Sequence, residues 1–318
     1  MKGKGLLMNY RDLIEQEREA FDKQIEERLE HGFVPDLRNL KNVDWFYNNV
    51  WRDPEFAKIQ WMPRINYIID QVKIRGGRVL EVGCGCGMLA LEMARNGLHV
   101  EGVDVSPKCI EIANKFKTEN QGSKDFGSLK YYCADISDLD FQGGLFDSVV
   151  FFRSLHHFPD LQATLSKVHQ ASKKGAYLLI SEPVRANFTE QSAEFCAVLR
   201  TILPTWEPYK KKLSVSWSRD YWHDRVTEIF KEYTLDEHHS QSPLDNSNDD
   251  ANEIIFAVDK LWKIGEKSYS DAFIDKMMGG LRGESRYDLA RFLKFLDNYM
   301  VEKGILPPTS LELLAVKR

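Results

Sequence analysis

The chain has 318 residues, 43% hydrophobic and 29% charged, with 20 Gly and 11 Pro; these values lie in the globular range and exclude collagen-like, disordered and coiled-coil classes. The length suits two average domains or one enlarged α/β domain. Lys plus Arg (43) is slightly outnumbered by Asp plus Glu (48), a net charge of −5, which argues against a general nucleic-acid or anionic-membrane binder, whose affinity comes from clustered basic charge.

No apolar run is long enough to span a bilayer. The opening residues Met1 to Met8 carry no hydrophobic stretch of secretory length, and Arg11 and Asp12 follow at once. Five cysteines in a long chain without a small-domain framework read as reduced thiols. A cytoplasmic protein is expected, with neither membrane nor nucleic acid as partner.

Over residues 9–31, Leu13, Phe21, Ile25 and Leu29 recur at helical spacing among Glu, Lys and Arg. This narrow apolar stripe predicts a helix packed on the outside of the main domain, with a homodimer contact as the alternative. An aromatic cluster follows, Trp45, Phe46, Tyr47, Trp51, Phe56 and Trp61, which reads as core or as the roof of a ligand. Residues 1–61 are expected to form an N-terminal helical extension and 62–318 the main domain.

From residue 77 short β-rich runs alternate with helical patterns. Strands are expected at 78–82, 98–105, 130–133, 148–152 and 176–181, with helices between them at 88–96 and 106–117. The second of these opens on Ser106 as N-cap and Pro107 at the first helical position. Such alternation implies a parallel sheet covered by helices on both faces. After Pro183 the pattern turns helical. One face is marked by Phe195, Val198, Leu199, Ile202 and Leu203, and a polar loop spans Ser240–Asn252 with Asp245, Asp249 and Asp250. Further helices run through Ile254, Val258 and Leu261, and through Leu289, Phe292, Leu293, Leu296 and Met300, and Ser310–Val316 reads as a closing strand. Cap insertions are expected at about 184–232 and 243–305.

Between the first strand and its helix lies Glu81-Val82-Gly83-Cys84-Gly85-Cys86-Gly87. Glycines there let the backbone turn sharply and approach a ligand, and the helix beyond offers free N–H groups. A dinucleotide fingerprint places its third Gly five residues after the first; here Gly87 comes four after Gly83 and position 88 is Met. An NAD-dependent oxidoreductase is therefore the weaker alternative. Cys84 and Cys86 have no second Cys or His pair at metal spacing, so no metal site is expected and both read as small loop residues.

An acidic residue followed by G-x-G-x-G resembles the first motif of the class I S-adenosylmethionine-dependent methyltransferases. Later landmarks resemble the same superfamily in order. Asp104-Val105 ends the second strand, Asp135-Ile136 the third, and Phe146–Val150 runs into His156-His157. Lys174–Pro183 then resembles the fifth strand with its Gly-containing approach. The match covers about a third of the chain, between residues 77 and 183. It implies an α/β Rossmann-like methyltransferase sheet, mostly parallel with an antiparallel last strand, carrying N-terminal helices and a helical cap. It implies S-adenosylmethionine as cofactor, bound by Glu81, Gly83, Cys84, Gly85, Gly87, Asp104, Val105, Asp135, Ile136 and Arg153. Asp104 would take the ribose hydroxyls and Asp135 the adenine amino group, while Arg153 would pair with the cofactor carboxylate.

A hydroxyl acceptor needs a base, and His156, His157 and Glu182 stand at strand ends where one is wanted. Base-amino methyltransferases resemble one another in a polar-Pro-Pro-aromatic signature where this chain has Phe152-Arg153-Ser154-Leu155. Cytosine C5 enzymes need a Cys beside Pro or Thr, unlike Cys133 and Cys196, and arginine methyltransferases a double-Glu loop, where Glu182 stands alone. A small-molecule acceptor is thus expected, a hydroxyl of a sugar or natural-product intermediate ahead of N- or C-methylation, with a non-catalytic cofactor-binding protein as the further alternative. Residues 184–232 interleave Trp206, Tyr209, Trp217, Tyr221 and Trp222 with Lys210, Lys211, Lys212, Arg219 and Arg225, which read as an amphipathic cap or as the grip on an anionic or glycosylated acceptor.

Overall fold

The computed structural model describes residues 9–44, 47–141, 143–213, 217–236, 238–245 and 247–318; the Met1–Met8 stretch, Trp45, Phe46 and the side chains of Tyr209 and Lys210 lie outside the described set. Asn9 opens the first helix, α1 (Tyr10–Glu30), its side chain accepting from the backbone N–H of Asp12 and so satisfying a donor the helix leaves free. Next come α2 (Pro54–Gln60) and α3 (Met62–Arg75), each with a proline in its first turn, where a missing N–H breaks no helical bond.

Strands and helices then alternate as β1 (Arg78–Val82), α4 (Met88–Arg95), β2 (His99–Asp104), α5 (Pro107–Asn120), β3 (Ser128–Cys133), β4 (Phe146–Phe152), α6 (Leu161–Ala171) and β5 (Ser172–Pro183). Ser106 caps α5: its Oγ accepts from Cys109 N at 2.9 Å while its hydroxyl donates to Asp22 of α1 at 2.5 Å. Ser106→Ala removes both bonds, and the expected cost is about 1 to 2 kcal/mol, read as a lower urea midpoint at unchanged m. An unchanged midpoint would deny the cap any weight.

After β5 the chain runs through α7 (Glu190–Ile202), α8 (Tyr209–Leu213), α9 (Arg219–Thr234), α10 (Ala251–Asp259), β6 (Trp262–Ser270), α11 (Arg286–Glu302) and β7 (Ser310–Lys317). The seven strands are ordered β3-β2-β1-β4-β5-β7-β6. β1 to β5 are parallel, and β7 lies antiparallel between β5 and β6. The pleat divides β1 between two cores. Val79 packs with Ile65, Ile69 and Val72 of α3, whereas Leu80 and Val82 pack with Leu165 and Val168 of α6. Period-2 parity puts Glu81 on the face of Val79.

Three sequence expectations need correction. α10 stops at Asp259, short of Leu261, and β6 follows inside the range expected to be a helical insertion. Its place at the sheet edge leaves Gly265, Glu266, Lys267 and Ser268 exposed in a row, which hides the strand from an apolar count. On α7, Val198 and Ile202 are 44% and 60% exposed, while Ala193, Cys196 and Ala197 are buried; the helix meets α9 through small residues that large-side-chain periodicity does not register. On α11, Phe292 is exposed, and the buried face runs through Ala290, Leu293 and Asp297.

Candidate active site

The strand order reverses between β1 and β4, and ligands of open parallel sheets bind at that switch, beyond the strand ends. A cavity of about 250 Å³ occupies it. The loop after β1 forms its floor. Gly83 has φ +70°, and a Cβ there would stand 2.5 Å from Ser154 Cβ in the turn after β4, so no side chain fits. Gly85 has φ +51°, and a Cβ there would meet nothing within 4 Å; that open space is the cradle a ligand would fill. Gly87 takes φ +74° at the N-cap of α4 and packs on Tyr131 without lining the cavity.

The other residues assigned to the cofactor from sequence, Glu81, Gly83, Cys84, Gly85, Asp104, Val105, Asp135, Ile136 and Arg153, all line this one cavity. Asp104 is aimed by the backbone: Gly85 N donates to Oδ2 at 2.7 Å and Ser106 N to Oδ1 at 2.9 Å. Burial pushes its pKa up against those two donors. Glu81 is buried, and burial together with the Asp104 charge raises its carboxyl to about 8. Its Oε2 has no partner, and an orphaned buried carboxyl oxygen beside an open glycine cradle is what a polar group of a ligand would satisfy. The open cradle and the two carboxyl groups thus fit S-adenosylmethionine. Asp135 caps the turn after β3 through Ser137 N and also accepts from Tyr10 Oη, both at 2.8 Å.

That tyrosine belongs to α1, which roofs the cavity through Ile14, Glu17 and Phe21 instead of packing on the outside of the domain. Glu17 is buried, accepting from Ser242 Oγ at 2.7 Å and Leu244 N at 3.0 Å. A glutamate inside the helix's inner face broke the apolar stripe, so the sequence did not reveal this function of α1.

A second chamber of about 900 Å³ adjoins the first, and Phe21, Trp51, Phe152, Arg153 and His157 belong to both walls. Trp51 stacks on Trp61 with ring centroids 5.8 Å apart, and Arg153 lies over Trp61 at 4.8 Å, so part of the aromatic cluster does wall the cavities. Arg153 sits at φ +53° and its Nη2 is 3.6 Å from Asp275. His156 lines the chamber, and Glu182 is buried behind it, touching neither cavity. His156 Nδ1 is 2.6 Å from Glu182 Oε2, and Glu182 Oε1 accepts from Ser154 N and Leu155 N, both at 2.8 Å. Burial raises the Glu182 pKa, while those donors and Arg153 pull the other way. Burial, His157, Arg185 and Arg153 hold the His156 imidazole well below its usual pKa. The ring is therefore neutral at pH 7. Glu182 Oε1 already takes two backbone donors and Oε2 accepts from the ring, so Nδ1 carries the proton and Nε2 the lone pair.

His157 lies 4.0 Å from the His156 ring, with Nδ1 2.8 Å from Glu17 but poorly aligned for a hydrogen bond, and Nε2 3.8 Å from Asp245. His156, His157 and Asp245 bring ligand atoms within 4.8 Å of one another, a group no sequence spacing revealed. Such a trio can hold a divalent cation. Here burial, then His157, Arg185 and Arg153, oppose protonation of His156, while Asp245 acts the other way.

Five of the cap residues expected to grip an acceptor stand elsewhere, and the side chains of Tyr209 and Lys210 lie outside the described set. Lys212 is buried, its Nζ donating to the carbonyls of Arg200 and Leu203 at 2.5 and 2.8 Å. Arg225 pairs with Glu207 at 2.9 Å, and Trp217, Arg219 and Trp222 border a separate groove with Glu190 and Glu194. The chamber is completed instead by Arg185, Tyr233, Asp245, Asp275 and Lys276, from loops and helix ends far apart in the chain. Among the described residues no helix is long and apolar enough to cross a membrane.

A family profile described as a methyltransferase domain matches residues 55–237. A ubiquinone biosynthesis O-methyltransferase of Coxiella burnetii (strain Dugway 5J108-111) is 33% identical over 125 residues, 39% of this chain and 51% of that protein. One of Xanthomonas campestris pv. campestris (strain B100) is 34% identical over 119 residues, 37% of this chain and 48% of that protein. The chain thus spans about half the length of the curated relatives it matches. Among solved structures, a magnesium protoporphyrin IX methyltransferase from Synechocystis PCC 6803 with bound SAH aligns over 95% of this chain and 98% of its own at TM-score 0.51 and 14% identity. A geranyl diphosphate C-methyltransferase from Streptomyces coelicolor A3(2) aligns over 96% and 98% at TM-score 0.52 and 12% identity. At those identities the likeness is one of fold.

Proposed function

The chain belongs to the methyltransferase-domain family, and from that premise we propose that it transfers a methyl group from S-adenosylmethionine to a hydroxyl of a small-molecule acceptor, a sugar or a natural-product intermediate, in the cytoplasm. The observation that carries this reading is the pair of adjoining cavities with a common wall, one floored by the glycine loop and Asp104, the other lined by His156.

When bound, S-adenosylmethionine supplies a methyl group on a sulfonium, already activated for in-line displacement. The chain's own residues do the rest. The Gly83–Gly85 backbone permits close approach, and Asp104, fixed by its two backbone donors, orients hydroxyls. Phe21 of α1 and Trp51 cover the junction and exclude water. His156 accepts the acceptor's proton at Nε2 while Glu182 holds Nδ1–H, fixing tautomer and ring direction. His157 shapes the common wall. Two reactants held in line across it gain the entropic advantage of a unimolecular step.

A thermal-shift comparison tests the cofactor. S-adenosylhomocysteine at about 100 times its dissociation constant adds roughly 2.7 kcal/mol, enough to raise Tm by several degrees. NAD and NADP should leave Tm unmoved. A rise with a dinucleotide in place of S-adenosylhomocysteine would make the chain an oxidoreductase.

A further inference from the structure

We propose that the acceptor carries an anionic group, a carboxylate or a phosphate, and that Arg185 and Lys276 hold it in the larger chamber. The inference rests on the reading of that chamber as the acceptor site. Five basic side chains line its wall, Lys23, Arg28, Arg153, Arg185 and Lys276, against three acidic ones, Glu27, Asp245 and Asp275. That local excess stands out in a chain whose net charge is −5.

The partners of these groups decide which cations are available. Arg153 is committed to Asp275 and to the Trp61 ring. Asp275 is further occupied by Gln60, whose Nε2 donates to it at 2.9 Å. Arg185 directs Nη1 to the backbone carbonyl of Asp245 at 2.8 Å, a bond that orients the guanidinium, whose charge faces Asp245, Asp275 and Glu182 without an ion pair to any of them. Lys276 Nζ makes no hydrogen bond or ion pair among the described residues. Lys276 is half-buried and its charge faces Glu232 and Asp275, and a chamber-lining ammonium with no hydrogen bond is a site for a charge that arrives with a ligand. Both groups are pushed toward deprotonation by burial first; on Lys276 the charge of Glu232 opposes that push and Arg185 adds to it. One anion between them would offset both effects. Arg185 also contributes to the positive potential at His156, so the anion grip lies within electrostatic reach of the proton acceptor. Arg offers two parallel donors to a carboxylate or phosphate and Lys a point charge.

The test uses the full chain saturated with S-adenosylhomocysteine, whose binding is measured first; if it does not bind, the methyltransferase reading itself fails and the two failures are told apart. Inorganic pyrophosphate, 3,4-dihydroxybenzoate and uncharged catechol are then titrated by calorimetry at millimolar concentration. An anionic probe should bind, more weakly as NaCl rises, and catechol should bind less well. The tighter of the two anions identifies the group. Lys276→Met and Arg185→Gln should each weaken the anion by at least about tenfold without changing S-adenosylhomocysteine affinity, and Lys276→Arg should retain it. Equal binding of dihydroxybenzoate and catechol, anion affinity unchanged in both variants, or no binding of either anion would each overturn the proposal.

Discussion

Glu182→Gln should leave folding and S-adenosylhomocysteine affinity unchanged and lower kcat by about 10² to 10⁴-fold, the usual range for a lost proton acceptor. The glutamine carbonyl can still accept from Ser154 N and Leu155 N, the bonds that anchor the turn after β4. Its amide would face His156 Nδ1 with a donor where Glu182 Oε2 offers an acceptor at 2.6 Å. The imidazole then moves its proton to Nε2, and the nitrogen facing the chamber no longer accepts one. His156→Ala should lose a similar factor by removing the ring. The pH profile supplies an independent reading. Burial, with His157, Arg185 and Arg153, holds His156 well below its usual pKa, so kcat should be level through neutrality and fall only as the pH drops through that lowered value. Initial rates by S-adenosylhomocysteine release at saturating acceptor check both points. A Glu182→Gln enzyme with undiminished kcat would reduce the pair to a structural bond.

Why the glycine loop and its acids could be read from the chain, while the chamber could not, follows from how each is built. Residues 81–87, 104–105 and 135–136 are each a strand end continuous with its turn, so local spacing carries the information. Parallel neighbours bring those ends together automatically: Glu81 pairs with Gly102, and Asp104 with Cys133. Arg185, Asp245 and Lys276 come from three loops or short turns whose meeting depends on how the cap packs, and no periodicity records that. Glu182 lay at the expected strand end, but its burial is a property of β4 and β7 on either side of β5. The roof formed by α1 was missed for a related reason. Its inner face is polar at Glu17 because that residue answers Ser242 and Leu244, more than 200 positions away. Cap lysines and tryptophans misled in the opposite sense, since charge and aromaticity along a helix do not say which of two grooves it borders.

Arg64→Met should destabilise the protein by about 3 kcal/mol at neutral pH, the cost of taking one of two cations from a buried carboxylate. Asp271 is completely buried at the turn after β6. It takes Arg64 Nη2 at 2.5 Å, Lys294 Nζ at 2.7 Å and Gln60 Nε2 and Ser310 Oγ at 3.1 Å each. Burial pushes its pKa up, but Arg64 and Lys294 outweigh burial and hold it well below the usual carboxylate range. Its contribution is therefore present at neutral pH and lost only as the pH falls below the unfolded value. Asp297 beside it works in the other direction. Burial and the Asp271 charge raise it to about 7, although its Oδ1 accepts from the backbone N–H groups of Ala272, Phe273 and Ile274 at 3.0, 2.8 and 3.0 Å. Between the unfolded pKa of about 3.9 and the folded value, the unfolded chain gives up its proton first, so ionisation there lowers stability as the pH rises. Asp297→Asn keeps the three accepted bonds and removes the titration. Urea unfolding at several pH values should show wild type losing stability relative to Asp297→Asn from about pH 4 to pH 7, with Arg64→Met far below both at neutrality. Parallel stability curves for wild type and Asp297→Asn would mean that Asp297 is ionised throughout, its three backbone donors outweighing burial.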